Sequence, residues 1–195
     1  MDGLGKPGKG GMSKVHDFRR SLSRSHALAD AAWWETVYRK AFPGFMAMVS
    51  VRNDGWAQRG GIDRVITLRE GRTILIDEKV REKDWPDILL ERWSDRNRRI
   101  PGWIQKDLAC EFIAYAFLPS RRCYLLPFLI LRKSWIDHGK RWIARAYDNT
   151  DRQFQVIHAV NNGYTTESIA IPIEMLLQSM TESMCVSWDA KKVLT

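Results

Sequence analysis

Two runs rich in β-branched and aliphatic residues, Gly61-Ile62-Asp63-Arg64-Val65-Ile66 and Ile74-Leu75-Ile76-Asp77-Glu78-Lys79-Val80, read as neighbouring strands. Glu70-Gly71-Arg72 between them supplies a hairpin turn. Upstream, Leu28, Ala31, Ala32, Glu35 and Tyr38 fall near helical spacing. They predict a helix over residues 25–41, with Ser25 as N-cap and Pro43-Gly44 as its stop. A strand over residues 45–51 and a turn at Asn53-Asp54-Gly55 follow.

Beyond the hairpin, residues 86–93 fit a short helix opened by Pro86. Trp103, Leu108, Phe112, Tyr115 and Ala116 predict a longer one over residues 102–117, closed by Pro119. The apolar run 123–131 reads as a central strand, against which Pro127 is the one objection. A helix is expected near residues 134–145, then a hairpin of 154–160 and 165–171 around Asn161-Asn162-Gly163. Pro172 opens a last helix over residues 173–184. The order is α-β-β-β-α-β with an α-β-β-α extension: an α/β (α+β) fold with a mixed sheet covered by helices. Residues 1–14, rich in Gly and Lys, read as a tail, residues 15–185 as a single domain and residues 186–195 as a polar end.

The hairpin carries the chemistry. Alternate side chains of a strand share a face, so Asp77 and Lys79 project together and Asp63 stands on the adjoining strand. Two carboxylates and an ammonium converging at one point suit a hard divalent cation and a phosphate. Mg²⁺ takes one or two carboxylates and completes its shell with water and substrate oxygens; Mn²⁺ is the natural substitute.

An acid, a spacer, then Asp or Glu, any residue and Lys is a pattern that resembles the PD-(D/E)xK nuclease superfamily, which includes restriction endonucleases and archaeal-type Holliday junction resolvases. Its positions fall here on Asp63, Asp77 and Lys79, with Ile62-Asp63 in place of Pro-Asp. The resemblance implies a restriction-endonuclease-like core and a metal site of Asp63, Asp77 and the main-chain carbonyl of Glu78. It further implies an acid on the preceding helix, for which Glu35 is the candidate, and polar residues of the later helix, Gln105 and Lys106, beside the site. It also implies a homodimer. The rival reading of Glu35 is an exposed acid paired with Arg39 at i,i+4. Glu78 departs from the pattern: it is in phase with Ile74, Ile76 and Val80, on a face that should be buried, and so requires a partner or an edge strand.

Composition agrees with a polyanionic partner. The net charge is +8 and the pI about 9.6. Arg81, Lys83, Arg92, Arg96, Arg98 and Arg99 interleave with Trp85, Trp93 and Trp103, a mixture that suits phosphates and unstacked bases, or else a solvated loop anchored by tryptophan. Cys110, Cys123 and Cys185 have no metal-ligand spacing, and their odd number suits reduced thiols in an intracellular, cytoplasmic protein. No run approaches the roughly 18 apolar residues of a membrane span. Phosphate-loop, zinc-ligand and serine-nucleophile motifs are all missing. The expectation is a Mg²⁺-dependent DNA endonuclease, structure-selective in the manner of a junction resolvase. Its alternatives are a restriction-type nuclease of phage or mobile-element DNA processing and a noncatalytic nucleic-acid-binding module.

Overall fold

The computed structural model describes residues 32–148 and 151–186. The two tails, apart from Val186, lie outside them, as does the first part of the expected helix over residues 25–41. Helix α1, Trp33–Ala41, buries Trp34 and Tyr38 one turn apart, and their rings stack with centroids 5.4 Å apart. Phe42 continues the row and donates its N–H to the Tyr38 carbonyl, closing the helix before Pro43.

Strands β1 (Phe45–Ser50), β2 (Arg64–Leu68) and β3 (Thr73–Arg81) form an antiparallel meander, broken only by the short helix α2, Gly55–Arg59. Asp54 caps α2 by accepting the N–H groups of Trp56 and Ala57, as an N-cap aspartate should. Chain direction then changes. Strand β3 pairs in parallel with β6 (Phe112–Phe117), which pairs antiparallel with β7 (Arg122–Pro127), giving the five-stranded order β1-β2-β3-β6-β7.

Between β3 and β6 the chain leaves this sheet and founds a second. Strand β4 (Asp87–Asp95), the short β5 (Ile100–Pro101) and a 3₁₀ turn, Trp103–Gln105, occupy the connection. The second sheet is completed by β8 (Gln155–Val160) and β9 (Thr165–Pro172) in the order β5-β4-β9-β8. Helices α3 (Phe128–Tyr147) and α4 (Ile173–Met184) follow β7 and β9.

The core divides along the faces of β6. Ala114 and Ala116 join Ile66, Ile74, Ile76 and the α1 aromatics on one side. Ile113, Tyr115 and Phe117 join Ile88, Leu90, Ile169, Ile171, Trp135 and Trp142 on the other. A strand buried on both faces is a continuous apolar run, which sequence periodicity cannot separate from a buried helix.

That ambiguity explains the first of three corrections. The helix expected over 102–117 is a 3₁₀ turn followed by strand β6. The helix expected over 86–93 is β4, whose Ile88 and Leu90 alternate inward. The strand expected over 123–131 ends at Pro127, which becomes the N-cap residue of α3, so α3 begins six residues before the position expected from sequence. The class is mixed α/β, but the crossover from β3 to β6 carries no α-helix. The C-terminal hairpin and the helix 173–184 lie where the turn and Pro172 put them.

Candidate active site

The β2–β3 hairpin brings the predicted acids and lysine together. Asp77 and Lys79 leave β3 on one side and form a direct ion pair between Nζ and Oδ1. Asp63 stands immediately before β2, fixed by two main-chain bonds: its N–H donates to Ile76 at 2.8 Å and its carbonyl accepts from Val51 at 3.0 Å. Its carboxylate accepts the Glu78 N–H at 2.8 Å and lies within hydrogen-bond reach of the Asp77 carboxyl. Gly61, at φ +65°, makes the approach to Asp63 possible, because a Cβ there would lie 2.8 Å from Leu108.

The electrostatics follow from burial. Asp77 is 4% exposed, and desolvation pushes its pKa up to about 7; Lys79 pulls the other way and Asp63 adds to the rise. Burial disfavours the Lys79 ammonium, yet Asp77 and Asp63 outweigh it and its pKa lies above the usual lysine value. The cluster therefore holds one firm positive charge, on Lys79, beside an Asp77 carboxyl that is only partly ionised near neutral pH. Cys110 stands near enough to feel it: burial, with Asp77 adding, pushes its thiol up to about 12.

Glu78 is the departure the sequence flagged, and β3 is an interior strand, so the edge-strand explanation fails. Its side chain points to the α1 face and is saturated. Arg64 donates Nε and Nη2 to its two oxygens at 2.9 and 3.2 Å, Arg52 reaches Oε2 at 2.9 Å, and Tyr38 donates its hydroxyl to Oε1 at 2.8 Å. Burial, then Glu78, drives the Tyr38 pKa far above its ordinary value. Arg52 also approaches Asp63 at 3.4 Å, linking the two faces of the hairpin. The Glu78 carboxylate thus faces away from Asp77. Its main chain does not, since in a strand the N–H and C=O of one residue point to the same edge, here the Asp63 edge.

Glu35 does not join the cluster. It pairs with Arg39 at 2.6 Å on a half-exposed part of α1, while Tyr38 takes the inward position. Arg81, at the end of β3, donates to the Tyr115 hydroxyl at 3.1 Å and sits 3.8 Å from Asp87. Lys83 and Lys106 are exposed. Gln105 donates its side-chain amide to the Arg92 carbonyl and so helps hold the 3₁₀ turn to β4. Arg92 and Arg96 bind a common acid, Glu167, whereas Arg98 sits 3.5 Å from Asp95.

Residues to which the sequence assigned no place beside Lys79 frame the site. Trp103 places its ring 5.8 Å from Lys79 Nζ, and Glu91 contributes to the Lys79 field. Gly102 positions Trp103: a Cβ on it would fall 2.1 Å from the Glu91 carbonyl oxygen. The partner of Glu78 did leave a signal. Arg64 is in phase with buried Ile62 and Ile66, so two charged residues interrupt facing apolar rows.

Among the described residues no group of three or more His, Cys, Asp or Glu side chains is arranged to hold a metal. The donors at hand are two carboxylates and a main-chain carbonyl, a set that suits Mg²⁺ or Mn²⁺ with water completing the shell and does not suit zinc. Also among the described residues, no helix is long and apolar enough to cross a membrane, and Cys110, Cys123 and Cys185 are free thiols. Compared with protein-family models, curated proteins and solved structures, the chain matches none.

Proposed function

We propose that the protein is a divalent-metal-dependent nuclease that hydrolyses phosphodiester bonds in DNA, of PD-(D/E)xK type. The observation that carries this reading is the junction of Asp63, Asp77 and Lys79 at one end of the β2–β3 hairpin. A carboxyl with its pKa near 7 beside a second carboxylate is a site that gains from a divalent cation, which would replace a costly proton. Asp63, Asp77 and the Glu78 carbonyl would hold Mg²⁺, with Mn²⁺ as substitute.

The cation, when bound, would activate a water and neutralise charge on the scissile phosphate. Lys79, restrained by Asp77 and Trp103, orients that water or meets the charge that builds on the phosphate. The Glu78 cluster locks the strand from behind. A net charge of +8 favours association of the chain with a polyanion such as DNA. We place the substrate among branched DNAs, because one compact chain offers little surface for a separate sequence-reading module, and the resolvase resemblance brings a homodimer with it.

One observation favours a second reading, a noncatalytic nucleic-acid-binding module. The β3–β6 crossover runs through a second sheet where the nuclease core would have a helix. Incubating the protein with supercoiled plasmid and with four-way junction DNA in Mg²⁺, Mn²⁺ or EDTA separates the two. Nicking or resolution that requires the metal supports the nuclease; salt-sensitive binding without cleavage in either metal supports the module.

A further inference from the structure

On the second sheet, a cavity of about 540 Å³ is lined by residues that include Arg92, Trp93, Arg96, Arg99, Tyr147 and Glu167. Its volume falls within the roughly 300–1,000 Å³ typical of small-molecule sites. Glu167 forms the floor, 1% exposed. Arg92 donates to Oε1 at 3.1 Å and Arg96 to Oε2 at 3.0 Å. The Tyr147 hydroxyl and His158 Nε2 reach Oε2 at 2.9 and 3.2 Å. Burial alone would raise the Glu167 pKa, but His158, Tyr147 and Arg92 together hold it below the usual glutamate value, so the acid is ionised and its acceptor sites are filled.

An acid so placed orients two guanidiniums without cancelling the charge of the cavity. Three arginines against one carboxylate leave two positive charges. Arg99, exposed and held at φ 53° by the turn after β4, pairs with no carboxylate among the described residues. Two aromatic walls adjoin them, Trp93, with the Arg92 guanidinium 5.1 Å from its ring centre, and the half-exposed Tyr147, and Asn97 completes the lining.

Charge and shape together select a ligand. A phosphodiester carries one negative charge, whereas a terminal phosphate carries about −1.5 to −2 at neutral pH. Guanidiniums meet phosphate oxygens in matched pairs, and a nucleobase has a planar face for tryptophan or tyrosine. We propose that this cavity binds a nucleotide phosphomonoester, the phosphate at Arg99 and Arg96 and the base against Trp93 or Tyr147. The chemistry is the same for a free mononucleotide and for a phosphorylated strand end. The cavity shares no lining residue with the Asp63–Asp77–Lys79 cluster, and binding there does not depend on cleavage.

The test is calorimetric titration of the full chain in EDTA, where hydrolysis is silent. The probes are 5′-AMP, adenosine, and a short single strand with a 5′-phosphate or a 5′-hydroxyl. Saturable binding of AMP over adenosine is expected, and Arg99→Ala should weaken it about tenfold or more. Lys140→Ala, which removes an exposed charge on α3, should leave it unchanged. AMP binding alone identifies the free nucleotide as ligand, and a comparable preference for the 5′-phosphorylated strand identifies a strand end. Should Arg99→Ala misfold by circular dichroism, Arg99→Gln takes its place. Equal affinity for AMP and adenosine, or equal losses in the Arg99 and Lys140 variants, overturns the proposal.

Discussion

The Glu78 N–H donates to the Asp63 carboxylate at 2.8 Å while the Glu78 side chain, on the opposite face of β3, is held by Arg64. The middle residue of the Asp77-Glu78-Lys79 triplet therefore does two structural tasks. Its main chain fixes the first acid of the site, and its side chain anchors the strand that carries the second. A site whose acids must sit within hydrogen-bond reach of each other needs such an anchor, because mutual repulsion would otherwise part them.

Removing that anchor should be costly. Glu78→Ala removes the buried carboxylate that Arg64, itself 5% exposed, and Arg52 share. Breaking one partner of a buried ion pair typically costs about 3–5 kcal/mol. Tyr38→Phe, which deletes one hydrogen bond to the same carboxylate, should cost about 1.5–3 kcal/mol. Urea denaturation of the two variants measures both, and equal small losses would contradict the anchoring role.

Glu35 gives the opposite expectation. Its ion pair with Arg39 is half exposed, and such pairs contribute about 0–1 kcal/mol. Glu35→Gln should leave stability and any metal-dependent cleavage within error of the parent. A large loss of cleavage would return Glu35 to the site from which the geometry of α1 removes it.

Glycine positions should rank by surroundings. Gly102→Ala pushes a Cβ into the Glu91 main chain, and overpacking of this kind costs about 1–3 kcal/mol or more. It also shifts Trp103 away from Lys79, so cleavage should fall with stability. Gly71, at φ +79° in the β2–β3 turn with open space around it, should cost only about 1 kcal/mol as alanine, and cleavage should survive. Parallel thermal unfolding and cleavage measurements on the two variants check the order.

The raised Asp77 pKa has a signed consequence. Between the unfolded value near 3.8 and the folded value of about 7, the native chain binds the proton more tightly than the unfolded chain. The contribution of this group to metal-free stability is therefore present at low pH and is lost as pH rises towards 7. Asp77→Asn should remove that component, so that stability relative to the parent increases as pH climbs from about 4 to about 7. Mn²⁺ competes with the same proton, and its affinity for the parent should strengthen over the upper part of that range. Denaturant titrations across pH, with and without Mn²⁺, test both signs.

The hairpin and its acids were legible because their signals are local: two β-rich runs, a Gly71 turn and the alternation that puts Asp77 with Lys79. The C-terminal hairpin and α4 were legible for the same reason, through Asn161-Asn162-Gly163 and Pro172. The second sheet was not. Its strand β4 pairs with β9, far along the chain, and Pro86 imitated a helix start. Strand β6 hid in an apolar run that packs on both sides. The Glu167 cluster unites residues of β4, α3, β8 and β9, a convergence set by tertiary packing alone. Glu78 was legible as an anomaly, and its resolution needed the register that sets Arg64 beside Ile76.

The most direct measurement is metal-dependent cleavage of plasmid and four-way junction DNA by the parent and by Asp77→Ala and Lys79→Ala, each checked for folding by circular dichroism. The parent should cleave in Mg²⁺ or Mn²⁺ and not in EDTA, while both variants bind DNA and leave it intact. Folded variants that cleave at the parental rate, or a parent inert in both metals, would contradict a hydrolytic role for Asp63, Asp77 and Lys79.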